Sequence, residues 1–514
     1  MAKDVDIELG KLFSVWLLRN LGENKTPDFY AERMVNLRIR NGGITARSGQ
    51  EEVFDWDDSS EIQGITNNHW LLEYVQWGDF ITYDLDTDTE SNEWSISHTG
   101  KVRFITYWIY TIILTGIWYP RVWDWSALSQ LTSSNITAWA NPSFWAKFAW
   151  FTVVNDTTTT NTIRISQPIS LAAQTNSYMR TGSGSWTITF DWDFLWCIGT
   201  LSFLWIFTTK TIEYISRDNL TTVGGISSLF SIPISWWDAL LNPDTVTSAN
   251  EFIFYVTEDI RIKTINYIQG NPVPQIAVIS EPIRELLEES LHSDQSNAFI
   301  YYNKQENIVV VVFRGITSTV TDLHVIYDME TREWFTDMDK YFAWVTTLND
   351  NIYAGSALSY KLIQDNVGTD DFNTSVDRAF ESGNMTLGDP VQVKQWRGSK
   401  LAGRYNNNTL INREIDLDWQ TTMTKQIDWS SIGTPLDDGI GGEDIGGEPI
   451  GGDIFTETSD LVDFEREATT GAIRLTGKKA RIRLYWWRKG QKFVIDYANM
   501  TVRPRVRSNR SDRV

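Results

Sequence analysis
An all-β fold is predicted for this chain: a β-propeller of short antiparallel strands with a small C-terminal β-rich module. Helical signals are few, while β-branched and aromatic runs recur between polar turns along most of the sequence. From Phe299 onward such runs return about every 8–12 residues, the spacing of a sandwich, barrel or propeller. An internal echo, in two copies, points to the propeller. ITYDLDTDTESNEWS (Ile81–Ser95) and HVIYDMETREWFT (His324–Thr336) each give a strand ending Tyr-Asp, a polar turn and a tryptophan on the next strand. Repeated blades produce that pattern.

Two apolar stretches could be mistaken for membrane spans. FITYWIYTIILTGIWYP (Phe104–Pro120) is β-branched and aromatic, is interrupted by Gly116 and stops at Pro120. Phe194–Thr209 is sixteen residues without a charge. A span needs about 20 apolar residues, and this run holds Gly199, Thr200 and Ser202 with no helical period. It reads as strands Phe194–Ile198 and Leu201–Phe207 around a Gly-Thr turn, continued by Thr211–Ile215. The best helix is EPIRELLEESLHS (Glu281–Ser293), with Pro282 near its start and Ile283, Leu286, Leu287 and Leu291 at helical spacing. Next come FIYY (Phe299–Tyr302), IVVVVF (Ile308–Phe313), LHVIYD (Leu323–Asp328), WF (Trp334–Phe335), YFAWVTT (Tyr341–Thr347), IYAG (Ile352–Gly355) and SYKLI (Ser359–Ile363). The amino terminus, MAKDVDIELG, lacks the basic-then-apolar shape of a signal peptide, so a soluble, unprocessed chain is expected.

From about Gly388 the character changes. IGGEDIGGEPIGGDI (Ile440–Ile454) repeats Ile-Gly-Gly every five residues and reads as a loop or linker. A short β-rich module follows at Ala472–Arg505. The expected division is a propeller-like body at 1–387, a β/linker region at 388–470 with its Gly-rich loop at 439–452, and a basic module and tail at 471–514.

Net charge is −21, unevenly placed: residues 471–514 carry +11 and residues 1–470 carry −32. An acidic body repels nucleic acid. A basic terminus suits docking onto an acidic neighbour or phosphates, or is simply solvated. The single cysteine, Cys197, excludes an internal disulfide framework, suits a reducing compartment and sits in an apolar run as an inert thiol.

Chemistry-bearing motifs are scarce. His69, His98, His292 and His324 have no metal-ligand spacing, no nucleophile elbow or phosphate loop is present, and no catalytic residue, metal site or cofactor is assigned. Asp84, Asp86 and Asp88 have the alternating oxygens of a calcium loop. The loop's glycine position is Thr89 and its bidentate acid position is Ser95, so a polar hairpin turn is the competing reading.

The 25 tryptophans are the anomaly. Asp-Trp occurs at Trp56, Trp125, Trp192, Trp419 and Trp429, each beside polar turn residues where Asp-Gly is expected. Trp77 (QWGD) and the pair Trp236-Trp237 (ISWWDALLNPD) are similar. Trp334, Trp344 and Trp396 instead lie in strand patterns. These eight odd positions are expected to be glycine in the native protein, as happens when a UGA codon read as glycine is translated as tryptophan. The competing reading is a real aromatic surface, for example for carbohydrate.

Several stretches resemble the β-propeller tail proteins of tailed phages, specifically the packaged-DNA stabilisation or tail hub proteins of short-tailed phages. They are RMVNLRIRNGGITARSGQE (Arg33–Glu51), CIGTLSFLWIFTTKTIEYISRDN (Cys197–Asn219), YDMETREWFT (Tyr327–Thr336) and GKKARIRLYWWRKGQKFVIDYANMTVRPR (Gly477–Arg505). The resemblance implies a virion tail component made in the bacterial host cytoplasm, with no catalytic residues and no membrane anchor. It implies a homo-oligomeric ring, usually hexameric, below portal and adaptor proteins, forming a hub or nozzle that retains packaged DNA and permits its ejection without binding it specifically. Arg503, Arg505 and Arg507 are the expected docking residues. A receptor- or glycan-binding propeller using exposed aromatics is the alternative.

Overall fold
The structure is a computed structural model that describes residues 5–8, 31–40, 43–54, 60–96, 98, 100–107, 110–117, 119–130, 142–148, 151–156, 159–165, 186–200, 202–216, 231–266, 274–290, 295–314, 322–372, 374–383, 385, 394–405, 410–418, 420–428, 462–466, 475–477, 480–487 and 493–504. The described residues are almost entirely β, arranged largely as four-stranded antiparallel sheets. Contacts divide the chain into two units: Met1–Glu51, Glu333–Met338 and Asn366–Val514 form one, and Glu52–Arg332 with Asp339–Asp365 form the other. The expected boundary near 387 therefore falls inside the first unit, because the segment following Asp365 groups with the amino-terminal strands.

The larger unit is a succession of antiparallel meanders in chain order. The first sheet comprises Ile62–Asn68, Leu71–Gln76, Asp79–Asp84 and Thr89–Ser95; the second, Arg103–Tyr107, Tyr110–Leu114, Arg121–Trp123 and Leu128–Gln130. The third contains Trp145–Phe148, Phe151–Asn155, Thr162–Ile165 and Trp186–Thr189. The fourth contains Phe194–Gly199, Phe203–Thr208, Thr211–Ser216 and Ile232–Trp236; the fifth, Val246–Ala249, Phe252–Val256, Ile262–Asn266 and Gln275–Val278. Phe299–Asn303, Ile308–Phe313 and Leu323–Asp328 follow as a sixth set of paired antiparallel strands. The seventh joins Phe342–Leu348, Asn351–Ser356 and Leu362–Asp365 to Gln50–Phe54, a strand from ahead of the first sheet. The expected Ser359–Ile363 strand thus begins later, at Leu362, because Tyr360 has φ +60° and closes a turn.

Burial on both faces explains the continuous apolar runs. In Phe203–Thr208 every residue is buried. Leu204 and Ile206 pack with Phe148, Val153 and Ile163 of the third sheet. Phe203, Trp205 and Phe207 point the other way, toward Ile253 and Tyr255 of the fifth. Alternate residues therefore enter two different cores, and a strand lined by cores on both sides has no polar face to alternate with. The first sheet behaves alike: Leu72 and Tyr74 join Leu348 and Tyr353, whereas Val75 joins Ile113 and Trp123. Where leading strands approach a neighbouring sheet, glycine is required. A Cβ on Gly199 would lie 2.4 Å from the Lys147 carbonyl oxygen, and one on Gly64 would lie 2.2 Å from that of Val102.

The predicted helix forms as a 3₁₀ turn at Glu281–Ile283 and an α-helix, α1, at Arg284–Ser290, burying Ile283, Leu286 and Leu287. Leu291 lies outside the described residues. No helix among the described residues is long and apolar enough to cross a membrane.

In the smaller unit the 12-residue strands Lys394–Tyr405 and Phe493–Pro504 pair along their length, flanked by Leu37–Arg40 and Gly43–Ala46 on one side and Val462–Arg466 on the other. A second sheet runs through Trp334–Asp337, Ala31–Val35, Arg378–Ser382, Ala480–Trp486, Leu410–Leu417 and Gln420–Asp428. Two bidentate ion pairs lie inside this unit: Arg38 on Asp337, with both contacts 2.7 Å, and Arg47 on Asp371.

Candidate functional site
The leading strands of the larger unit bring charged and aromatic side chains together at one cavity of about 470 Å3. Its wall includes Glu61, Lys101, Asp244, Arg314, Trp77 and Trp344, contributed by segments far apart in sequence. The organising residue is Asp244, in the LNPD turn that precedes the fifth sheet. Asn242 Oδ1 accepts from the Asp244 backbone N–H at 2.8 Å, fixing the turn, and the Asp244 carbonyl accepts from Ile300 N–H at 3.0 Å. Its nearly buried carboxylate accepts from Lys101 Nζ at 3.1 Å and from Arg103 Nη2 at 2.9 Å and Nε at 3.2 Å. The Arg103 guanidinium lies 5.0 Å from the Trp196 ring centroid, and Lys101 Nζ lies 5.6 Å from that of Trp344. Arg314 donates to Glu61 at 2.7 Å.

Each of these carboxylates is held by a cation. The arrangement holds these charged side chains in two ion-paired groups. Its chemical effect is to tie the second, fourth, fifth and sixth sheets at their leading edges.

A second buried polar group lies between the first and second sheets. Glu73, on Leu71–Gln76, has no exposed surface and sits beside Asn68 and Thr111, which hydrogen-bond each other at 2.9 Å. Burial pushes its carboxyl up from 4.5 to about 7, partly offset by those two side chains. Burial likewise pushes the Cys197 thiol up, which disfavours the reactive thiolate.

The calcium-loop residues do not converge. Asp84 Oδ1 accepts from the backbone N–H groups of Asp86 and Thr87, at 2.9 and 3.4 Å, closing the turn, and Asp88 accepts from Tyr83 Oη. No cluster of three or more potential metal ligands occurs among the described residues.

Among the tryptophans singled out by sequence, Trp77, Trp125 and Trp237 have φ of +52°, +75° and +66°. Trp192 and Trp236 do not share this conformation; Trp236 is extended within its strand, so backbone geometry there does not demand glycine. Trp56, Trp419 and Trp429 lie outside the described residues, as do Arg505, Arg507 and the 439–452 loop. Arg503 is on the Phe493–Pro504 strand, in register with Gln395.

The basic C-terminal segment is not all free charge. Arg481 and Arg483 both reach Asp416 Oδ2, and Arg481 also meets Glu32 at 3.3 Å and Arg483 meets Glu414 at 3.3 Å. Alternation along Ala480–Trp486 hides this pairing, because its arginines occupy the polar face of a strand that is central in its sheet.

No family model matches this chain, and no curated protein sequence matches it. Solved structures similar to it in part include a designed protein and U3-55K. The computationally designed Ika8 protein aligns at 10% identity and TM-score 0.38, covering 65% of this chain and 96% of its own. U3-55K aligns at 7% identity and TM-score 0.39, covering 62% of this chain and 98% of its own. Likeness at that level carries no argument about function.

Proposed function
We propose that the chain is a structural tail component of a short-tailed phage, a hub or nozzle ring built on a β-propeller with a small C-terminal β module. The observation that supports the propeller most directly is the seventh sheet. Six successive sheets follow chain order, but the last takes its remaining strand from ahead of the first. A circular array of blades closes that way, because joining the two ends of the array removes its exposed seam. The paired charges at Asp244 fit a framework better than a reaction centre.

In this reading the acidic body, −32 over residues 1–470, repels the phosphates of DNA passing through the conduit. The basic terminus docks on acidic portal, adaptor or other tail neighbours, and the assembled ring, expected to be hexameric, belongs to the virion tail. Sedimentation and electron microscopy of the purified chain with its tail neighbours test this: a closed ring that does not retain duplex DNA is expected. A chain that stays monomeric with those neighbours present refutes the ring. Charge reversal of Arg503, Arg505 and Arg507 is expected to block assembly and leave folding intact; normal assembly by the triple variant removes the docking role.

Exposed tryptophans favour a second reading, a glycan- or receptor-binding propeller. Trp77, Trp236 and Trp237 are 62%, 60% and 77% exposed, and aromatic faces of that kind stack on sugars. Glycan-array binding that is lost on replacing these residues would favour it over the tail component.

A further inference from the structure
We propose that positions 77, 125 and 237 are glycine in the protein as its own organism makes it, the codon there being read as glycine, and that the aromatic patches at these positions are absent from the native surface. This stands on backbone geometry and does not depend on the tail reading.

Eighteen described non-glycine residues have positive φ. Ten of the fifteen that are not tryptophan are Asn, Asp or His, the types that tolerate the left-handed region. Tryptophan is the bulky type that recurs there; Ile260, Tyr360 and Phe372 occur once each.

Comparison within the fold sharpens the point for Trp77. Trp77 and Gly78 form the two-residue loop between Leu71–Gln76 and Asp79–Asp84, with Gln76 opposite Asp79 and φ of +52° and +80°. Positive φ at both loop positions marks a type I′ hairpin, which takes Asn, Asp or Gly. Two sister hairpins have the same form: Asn349-Asp350 at +52° and +64°, and Asn250-Glu251 at +48° and +73°. Trp77 therefore stands where its sisters carry Asn349 and Asn250. With glycine at 77 the loop becomes Gly-Gly, a sequence such hairpins accept.

Trp125 sits in the loop between Arg121–Trp123 and Leu128–Gln130, whose shape is set by Asp124 Oδ1 accepting from the N–H groups of Ser126 and Ala127 at 3.0 and 2.8 Å. Its indole N–H is buried without a hydrogen-bond partner, a state that buried tryptophans usually avoid. Trp237 follows the Ile232–Trp236 strand and is 77% exposed, so its indole gains little burial to offset the backbone strain. It stands over Lys210 Nζ at 4.9 Å, with Trp192 on the same lysine at 4.0 Å. Glycine at 237 removes that half of the cradle, and glycine at 77 removes one aromatic side chain from the wall of the cavity near Asp244.

Peptide mass spectrometry of the protein from the organism that makes it tests the proposal, with buried Trp334 as internal control. Glycine at 77, 125 and 237 with tryptophan at 334 is expected; tryptophan at any of the three overturns the proposal for that position. Thermal melts of the recombinant chain as written here test the geometric argument separately. Trp77→Gly, Trp125→Gly and Trp237→Gly are each expected to raise Tm by about 2 °C or more. The alanine replacements should raise it less, since alanine keeps the Cβ that the left-handed region disfavours. Alanine performing as well as glycine would overturn the backbone argument.

Discussion
Replacing Glu73 by glutamine should stabilise the protein at alkaline pH and leave it nearly unchanged in mild acid. Glu73 is fully buried, and its carboxyl titrates at about 7 in the fold against 4.5 for the ordinary group. The folded value is the higher one, so the fold favours the protonated form. That contribution is fully present below about 4.5 and is lost as pH rises through about 7. Each tenfold change in proton affinity is worth about 1.4 kcal/mol, so the ionised side chain costs about 3 kcal/mol above neutrality. Glutamine has nearly the same shape, carries no charge and can hydrogen-bond Thr111 and Asn68. Urea unfolding of the parent and Glu73→Gln at about pH 5 and about pH 8 measures the difference directly. The variant should lead by up to about 3 kcal/mol at the higher pH and by much less at the lower. A variant no better at high than at low pH would refute the assignment of that cost to a buried, ionising Glu73.

The other predictions concern ties and close approaches. Asp244→Ala leaves Lys101 and Arg103 without their shared carboxylate and should lower stability by about 2–3 kcal/mol, read from chemical denaturation; a neutral result would mean that the cluster is solvated rather than structural. Gly199→Ala places a Cβ against the Lys147 carbonyl and should lower stability by about 1–3 kcal/mol, visible as a reduced Tm. Asp416→Ala removes the carboxylate that Arg481 and Arg483 share, leaves Arg481 with Glu32 and Arg483 with Glu414, and should destabilise by about 2 kcal/mol; removal of charge at Arg503 should leave the unfolding midpoint unchanged.

Strands are the most legible part of the sequence, because alternation and turn chemistry act locally. Three strands of the fourth sheet can be placed to within two residues between Phe194 and Ser216, with the Gly-Thr turn marking where the first ends. The helix at Glu281–Ser290 is legible through Pro282 and its leucine spacing. The Asp244 cluster is not legible. Lys101 and Arg103 lie more than 140 residues from Asp244, and no period or motif links a turn aspartate to two distant cations. The only local signal is Asn-Pro-Asp, which announces a turn and says nothing about what the turn will hold. Two-faced burial is equally hidden: Phe203–Thr208 shows that a run is buried, but only the packed neighbours reveal that alternate residues serve different cores.

Charge counted along the sequence and charge available on the protein are different quantities, and the C-terminal segment shows why that matters for docking. Its +11 suggests a continuous basic face. Arg481 and Arg483 are instead neutralised by Asp416, Glu414 and Glu32 within their own unit, where their side chains are mostly covered. Mostly covered ion pairs of this kind add little long-range field. Whatever attraction the segment exerts on an acidic neighbour must then come from its other arginines and lysines. A docking experiment that reverses charge at Arg481 or Arg483 would therefore report on folding, whereas reversal at Arg503, Arg505 and Arg507 separates assembly from stability.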